Sequence, residues 1–169
     1  MTNWVMDYET LINCFTAVFI DYKSDEKKIF VVHETRNDYA ELYSFLQDCK
    51  SEEVWHISFN GINFDSQITE FIIREGDYWD NPAKRSSLKW IEFSMDWNNV
   101  RDMPIKHSTL IKTKDQIDTI VNYCVNDVLA TKQVMMLSKE QIMLRKALTN
   151  EYGINLYSAS EPKISKELF

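Results

Sequence analysis

Val5-Met6-Asp7-Tyr8-Glu9-Thr10 places two carboxylates one residue apart in an apolar-flanked run near the N-terminus. In a strand the side chains alternate between faces, so Asp7 and Glu9 point the same way. Two acids on one face near a buried edge repel each other and are costly to take out of water. Two readings fit such a pair. One is an exposed strand end with two solvated acids. The other is a site for a hard divalent cation with oxygen ligands.

Working outward, Trp4 to Tyr8 reads as a first strand. Cys14 to Asp21 reads as a second, apolar on both parities, so both of its faces are expected to be buried. Lys28 to His33 follows a polar turn as a third. Short connections predict an antiparallel meander. A helix is expected over Asp38 to Cys49, with Tyr39, Leu42, Phe45, Leu46 and Cys49 at helical spacing. Thr35 with Asp38 fits a capping box there, and Asn37 is the alternative cap. Val54 to Phe59 is a fourth strand, parallel to the first through the helical crossover.

Asn60 to Asp65 then leads into a helix over Ser66 to Arg74, with Gly76 as its stop. Residues 77–87 are polar and irregular. Ser87 can cap a short helix holding Leu88, Trp90, Ile91 and Met95. Arg101 to Lys112 is loop-like, broken by Pro104. A long helix is expected over Lys114 to Lys139, opened by a capping box of Thr113 and Gln116. A further helix over Glu140 to Tyr152 stops at Gly153. The fold class is α/β: a mixed sheet, an antiparallel meander plus one parallel strand, flanked by helices. Residues 1–152 form one domain. Residues 153–169 form a tail or linker that is expected to lead to a further domain of a longer parent chain.

Composition limits the function classes. With 169 residues, 44% hydrophobic and 13% aromatic, the chain suits a folded domain with a real core. No apolar run approaches the ~20 residues that span a bilayer. No basic region precedes an apolar stretch, so no signal peptide is read and a cytoplasmic setting is expected. Cys14, Cys49 and Cys124 are widely spaced among apolar neighbours and read as reduced core thiols. His33, His56 and His107 are scattered and read as structural. A formal net charge of −7 is wrong for gripping nucleic acid by bulk electrostatics alone. It is compatible with an enzyme whose acids are neutralised by metal.

Two further acids have positions with mechanical meaning. Asp65 lies just beyond the fourth strand, at a helix start. Asp127 lies mid-helix, four residues from Tyr123 and on the same face. An acid inside an apolar helical repeat is unusual unless it is paired or metal-bound. With the first and fourth strands adjacent and parallel, Asp7, Glu9 and Asp65 reach one end of the sheet, where sites form.

The ordered set Asp7-Tyr8-Glu9, Asn60-x-x-x-Phe64-Asp65 and Tyr123-x-x-x-Asp127 resembles the three exonuclease motifs of the DEDD superfamily, tyrosine branch. That family has the ribonuclease H-like fold. The resemblance is to the proofreading 3′→5′ exonuclease domain of family B DNA polymerases, including phage types, and covers about residues 4–137. It implies that Asp7, Glu9, Asp65 and Asp127 hold two divalent ions, Mg2+ or Mn2+. Two ions ~3.5–4 Å apart can clamp the attacking and leaving oxygens of an in-line phosphoryl displacement. Tyr123 would orient the attacking water; a phenol pKa of ~10 makes it a poor base. The histidine branch would place His at position 122, where this chain has Asn122.

The resemblance also implies that Asn60 and Phe64 contact the terminal nucleotide, by hydrogen bonding and stacking. Their other readings are a strand-end turn residue and a core aromatic. Thr10 and Leu11 follow the first motif, where the family's backbone meets the last base. The implied partner is a single-stranded DNA 3′ end, with a polymerase domain in the same parent chain and no membrane. The implied role is proofreading during DNA replication, in the host cytoplasm if the chain is phage-encoded. The chain departs from the family at Glu75 to Leu88, which is short, polar and without a strand pattern where the family has a fifth strand. The competing readings are an RNA-directed exonuclease, a non-catalytic ribonuclease H-like binding module, and a two-metal phosphatase. The last lacks the expected His ligands.

Overall fold

The computed structural model of the chain describes residues 3–59, 64–75, 97, 99–156, 164 and 166. Among the described residues five strands are formed: β1 Trp4–Leu11, β2 Cys14–Asp21, β3 Lys27–His33, β4 Arg36–Asn37 and β5 His56–Ile57. They make one sheet in the order β4-β3-β2-β1-β5. β1 and β2 pair antiparallel from Trp4 opposite Asp21 to Leu11 opposite Cys14. β2 and β3 pair antiparallel from Phe15 opposite Val32 to Ile20 opposite Lys27. β5 lies parallel to β1, with His56 opposite Trp4 and Ile57 opposite Val5. The fold is thus α/β with a mixed sheet, as the meander and the crossover pattern predict.

Helix α1 spans Tyr39–Ser51, α2 Asp65–Glu75, α3 Lys114–Leu137 and α4 Lys139–Tyr152. The chain divides into two compact units, Met1–Lys132 and Gln133–Phe169. Within the first unit each face of the sheet has its own core. Met6, Tyr8, Phe15 and Phe19 pack with Leu42 and Leu46 of α1 and with Ile68 and Ile72 of α2. On the opposite face Leu11, Cys14 and Val31 pack with Ile111 and with Ile117 and Ile120 of α3. Asn13, in the β1–β2 turn, donates to the Ile111 carbonyl (2.9 Å) and accepts from the Ile111 N–H (2.8 Å). These two bonds pin the segment before α3 and set that helix against the face that carries Asp7 and Glu9.

The starts and stops of the helices follow local chemistry. The capping box opening α3 is reciprocal: the Gln116 N–H donates to Thr113 Oγ1 (3.3 Å) and the Thr113 N–H donates to Gln116 Oε1 (3.2 Å). Gly153 ends α4 at φ +69°, the left-handed region, with its N–H on the Thr149 carbonyl (2.9 Å). The box expected from Thr35 and Asp38 does not form. The Asp38 carboxylate accepts from the Val31 N–H (3.0 Å) and from Arg36 (2.7 Å), and Thr35 Oγ1 bonds His33 Nδ1 (2.9 Å). Both side chains are spent on the β3–β4 hairpin. Asn37, the alternative cap, takes the Tyr39 N–H (3.1 Å).

β3 starts one residue earlier than the sequence reading, β4 has no counterpart in it, and two other strands differ more in length. β1 runs three residues beyond Tyr8, because its pairing with β2 continues down to a two-residue turn. β5 is two residues long, since β1 offers it parallel pairing only at Trp4 and Val5. The expectations placed on Asn60 to Asn63, on Gly76, on residues 77–96 and on residues 157–163 lie outside the described residues. Cys14, Cys49 and Cys124 are buried free thiols, as read. Among the described residues no helix is long and apolar enough to cross a membrane.

Phe19 is fully buried and sits among the rings of Phe45 (4.8 Å between centroids), His56 (5.4 Å), Tyr8 (6.0 Å) and Phe30 (6.0 Å). Phe19→Ala is expected to cost ~3–5 kcal/mol of stability by urea denaturation. A loss under ~1 kcal/mol would contradict this packing.

Candidate active site

Asp7 and Glu9 leave β1 on the same side, at the positions opposite Val18 and Thr16. Period-2 alternation sends the intervening Tyr8 to the other face, where its hydroxyl bonds Thr69 Oγ1 of α2 (2.8 Å). α3 covers the acidic side and brings Tyr123, Cys124 and Asp127 to it. Carboxylate oxygens of Asp7, Glu9 and Asp127 lie within 4.8 Å of one another. Two full charges at that separation repel by about 3 kcal/mol at the effective dielectric of ~20 found near a protein surface.

Asp65 is the first residue of α2 and only 1% exposed. Its carboxylate accepts from the Ser58 hydroxyl, from the Tyr8 backbone N–H and from its own backbone N–H. The other oxygen, Oδ1, is buried and has no hydrogen-bond partner. Asp65 is not one of the three acids whose oxygens lie within 4.8 Å of one another, and a buried carboxylate oxygen without a partner is one that a cation could take up. Carboxylate oxygens are the ligands that hard divalent cations such as Mg2+ and Mn2+ select. The donor set therefore suits such an ion.

The electrostatics agree in direction. Burial, then the charges of Asp65, Glu9 and Asp127, hold the Asp7 carboxyl well above the ordinary carboxylate range. The Cys124 thiol opposes this: it donates to Asp7 Oδ2 at 3.7 Å and to the Asp7 carbonyl at 3.4 Å. Burial also raises Asp65, to about 7. Burial and the neighbouring Asp127 and Glu9 charges push the Tyr123 phenol above its usual range, so it stays protonated. Tyr123 is hydrogen-bonded to Asp127. The same causes keep the Cys124 thiol protonated and a donor. A cavity of about 460 Å³ opens beside Tyr123, lined by Arg101, Asp102, Pro104, Thr119 and Asn122.

The remaining site expectations divide. Thr10 is half-buried, with His107 Nδ1 3.4 Å from its carbonyl. The Leu11 side chain is in the second core, so only its main chain can meet a ligand. The Phe64 side chain packs against the first core, which is the core-aromatic reading. Asn60 is outside the described residues. His56 is held neutral by burial, down to about 4, and its ring lies against Phe19 and Phe45; it takes no part in the acid cluster.

Sequence reasoning missed Ser58, Cys124 as a partner of Asp7, and Asn126. Nothing in a lone serine or an apolar-flanked cysteine signals such a contact. Asn126 did carry a signal, since a buried polar residue in an apolar helical repeat needs partners. No family model, curated protein or solved structure matches the chain.

Asp65 holds its proton more tightly folded than unfolded. Its contribution to stability is therefore complete below about pH 4 and lost as pH rises through about 7. In the presence of EDTA, Asp65→Asn should gain on the wild type across that window, by up to ~1.4 kcal/mol for each pH unit. Urea melts at a series of pH values read this difference. A gap that is constant with pH, or that shrinks as pH rises, would contradict the assigned environment.

Proposed function

We propose that this chain is a two-metal 3′→5′ exonuclease of the DEDD superfamily, tyrosine branch, with a ribonuclease H-like fold. Its substrate is the 3′ end of single-stranded DNA, and its setting is the editing of DNA synthesis beside a polymerase domain. The observation that carries the reading is the convergence of Asp7, Glu9 and Asp127, from β1 and α3, on one point. Asp65 stands near enough for its charge to act on Asp7. The α/β architecture, with one parallel and three antiparallel strand pairs, is compatible with the ribonuclease H-like arrangement.

When bound, Mg2+ or Mn2+ ions supply positive charge to the attacking and leaving oxygens of a phosphodiester under in-line displacement. Asp7, Glu9, Asp65 and Asp127 would hold them. Tyr123 stays protonated and bonded to Asp127. It therefore orients a nucleophilic water by donating or accepting a hydrogen bond, and does not remove its proton. Thr10 is half-buried near the end of β1, with His107 beside its carbonyl, and its main chain would meet the terminal nucleotide. The cavity beside Tyr123 offers room for that nucleotide, with Arg101 at its wall. A net charge of −7 leaves the metal-loaded cluster and a few local cations as the attractive elements for a phosphate backbone.

A time course on a 5′-labelled single-stranded DNA oligonucleotide tests this reading, with Mg2+ or Mn2+, an EDTA control and the Asp7→Ala protein. The expected result is a ladder shortening from the 3′ end, absent from both controls. Cleavage that survives EDTA or Asp7→Ala would contradict it. Binding without cleavage would favour a non-catalytic module, and faster cleavage of a matched RNA would favour the RNA-directed reading. Tyr123→Phe should slow turnover on the order of 100-fold while leaving the metal requirement unchanged.

A further inference from the structure

Asn126 is 4% exposed, sits next to Asp127 in α3, and anchors a chain of four side-chain hydrogen bonds. Arg101 Nε donates to Asn99 Oδ1 (2.6 Å). Asn99 Nδ2 donates to Asn126 Oδ1 (2.9 Å), and Trp97 Nε1 donates to the same oxygen (3.3 Å). Asn126 Nδ2 donates to Asp127 Oδ1 (3.3 Å). The direction of this chain is forced. A guanidinium and an indole N–H can only donate. Arg101 therefore fixes the oxygen of Asn99, and turns its amide nitrogen towards Asn126. Trp97 and Asn99 together fix the oxygen of Asn126, and leave its amide nitrogen for Asp127. Neither amide can flip without setting donor against donor.

We propose that Asn126 is a positioning residue for Asp127, with Trp97, Asn99 and Arg101 setting the direction of its amide. This rests on the reading of Asp127 as a metal ligand. The amide holds one carboxylate oxygen and Tyr123 bonds the same carboxylate, so the group is presented to the cation in one orientation. Hydrogen bonds in series with a single donor direction polarise one another, and the donor at the far end carries a full positive charge. The chain therefore ends on the carboxylate as a stronger donor than an isolated amide. Groups that orient a ligand in this way characteristically change metal affinity 10- to 100-fold when lost. A role confined to packing would change the melting temperature and leave metal affinity alone.

Asn126→Asp keeps an oxygen for Trp97 and Asn99, removes the donor that faces Asp127 and adds a negative charge there. Mn2+ alone is the probe, with free ion read by electron paramagnetic resonance during titration of the full chain. Binding is expected to weaken roughly tenfold, even though the added negative charge by itself would draw the cation in. Trp97→Phe keeps the amide, removes one of the two donors that fix it, and should weaken Mn2+ binding by a smaller factor. Unchanged or tighter binding in Asn126→Asp, with native circular dichroism, overturns the proposal. If Asn126→Asp does not fold, Trp97→Phe decides alone, and unchanged binding there overturns it. Wild-type protein that binds Mn2+ but cuts no DNA overturns the nuclease reading and leaves this comparison intact. Wild-type protein that binds no Mn2+ overturns both.

Discussion

Carboxylate oxygens of Asp7, Glu9 and Asp127 are held within 4.8 Å of one another on one side of β1. There, removal from water and mutual repulsion both oppose ionisation. Neutral donors reach the cluster, among them the Cys124 thiol, the Asn126 amide and the Tyr123 hydroxyl. They orient the acids without removing their charge. Packing on both faces of β1 opposes their repulsion.

That packing is arranged by the alternation of β1. Its even-numbered side chains, Trp4, Met6 and Tyr8, lock into α1 and α2. Its odd-numbered side runs from Val5 through Asp7 and Glu9 to Leu11, which joins the core against α3. The acids sit between two buried apolar residues on the same side of one strand, so they cannot move apart without disturbing both cores. α3 is fixed at its start by the reciprocal bonds of Thr113 and Gln116, and just before that by the paired bonds of Asn13 to Ile111. Asp127 is thereby delivered to the strand from a rigid element. Tyr8 belongs to the same strand segment but serves the opposite face, through Thr69, while its N–H holds Asp65.

Much of this was legible because it rests on period and on local chemistry. Alternation gave the shared side of Asp7 and Glu9, and apolar spacing gave the helices. Gln116 and Gly153 marked a start and a stop through mechanisms that need no distant partner. What failed to read needed a third dimension. Thr35 and Asp38 match a capping box in spacing, yet a short hairpin offered both side chains better partners in Val31, His33 and Arg36. A two-residue β4 has too little sequence to carry a period. The Cys124 bond to Asp7 spans 117 positions, and no local rule could announce it.

The most direct test of the cluster as a cation site is a pair of melting temperatures for the wild type and Asp7→Asn at pH 8, with EDTA and then with excess Mn2+. Without metal, Asp7→Asn should melt at or above the wild type, because one repelling charge has been removed. With Mn2+ the wild type should gain by mass action and overtake the variant, which gains little. A variant that melts well below the wild type in EDTA, and rises as much as the wild type does with Mn2+, would show that Asp7 is a structural partner and not a metal ligand.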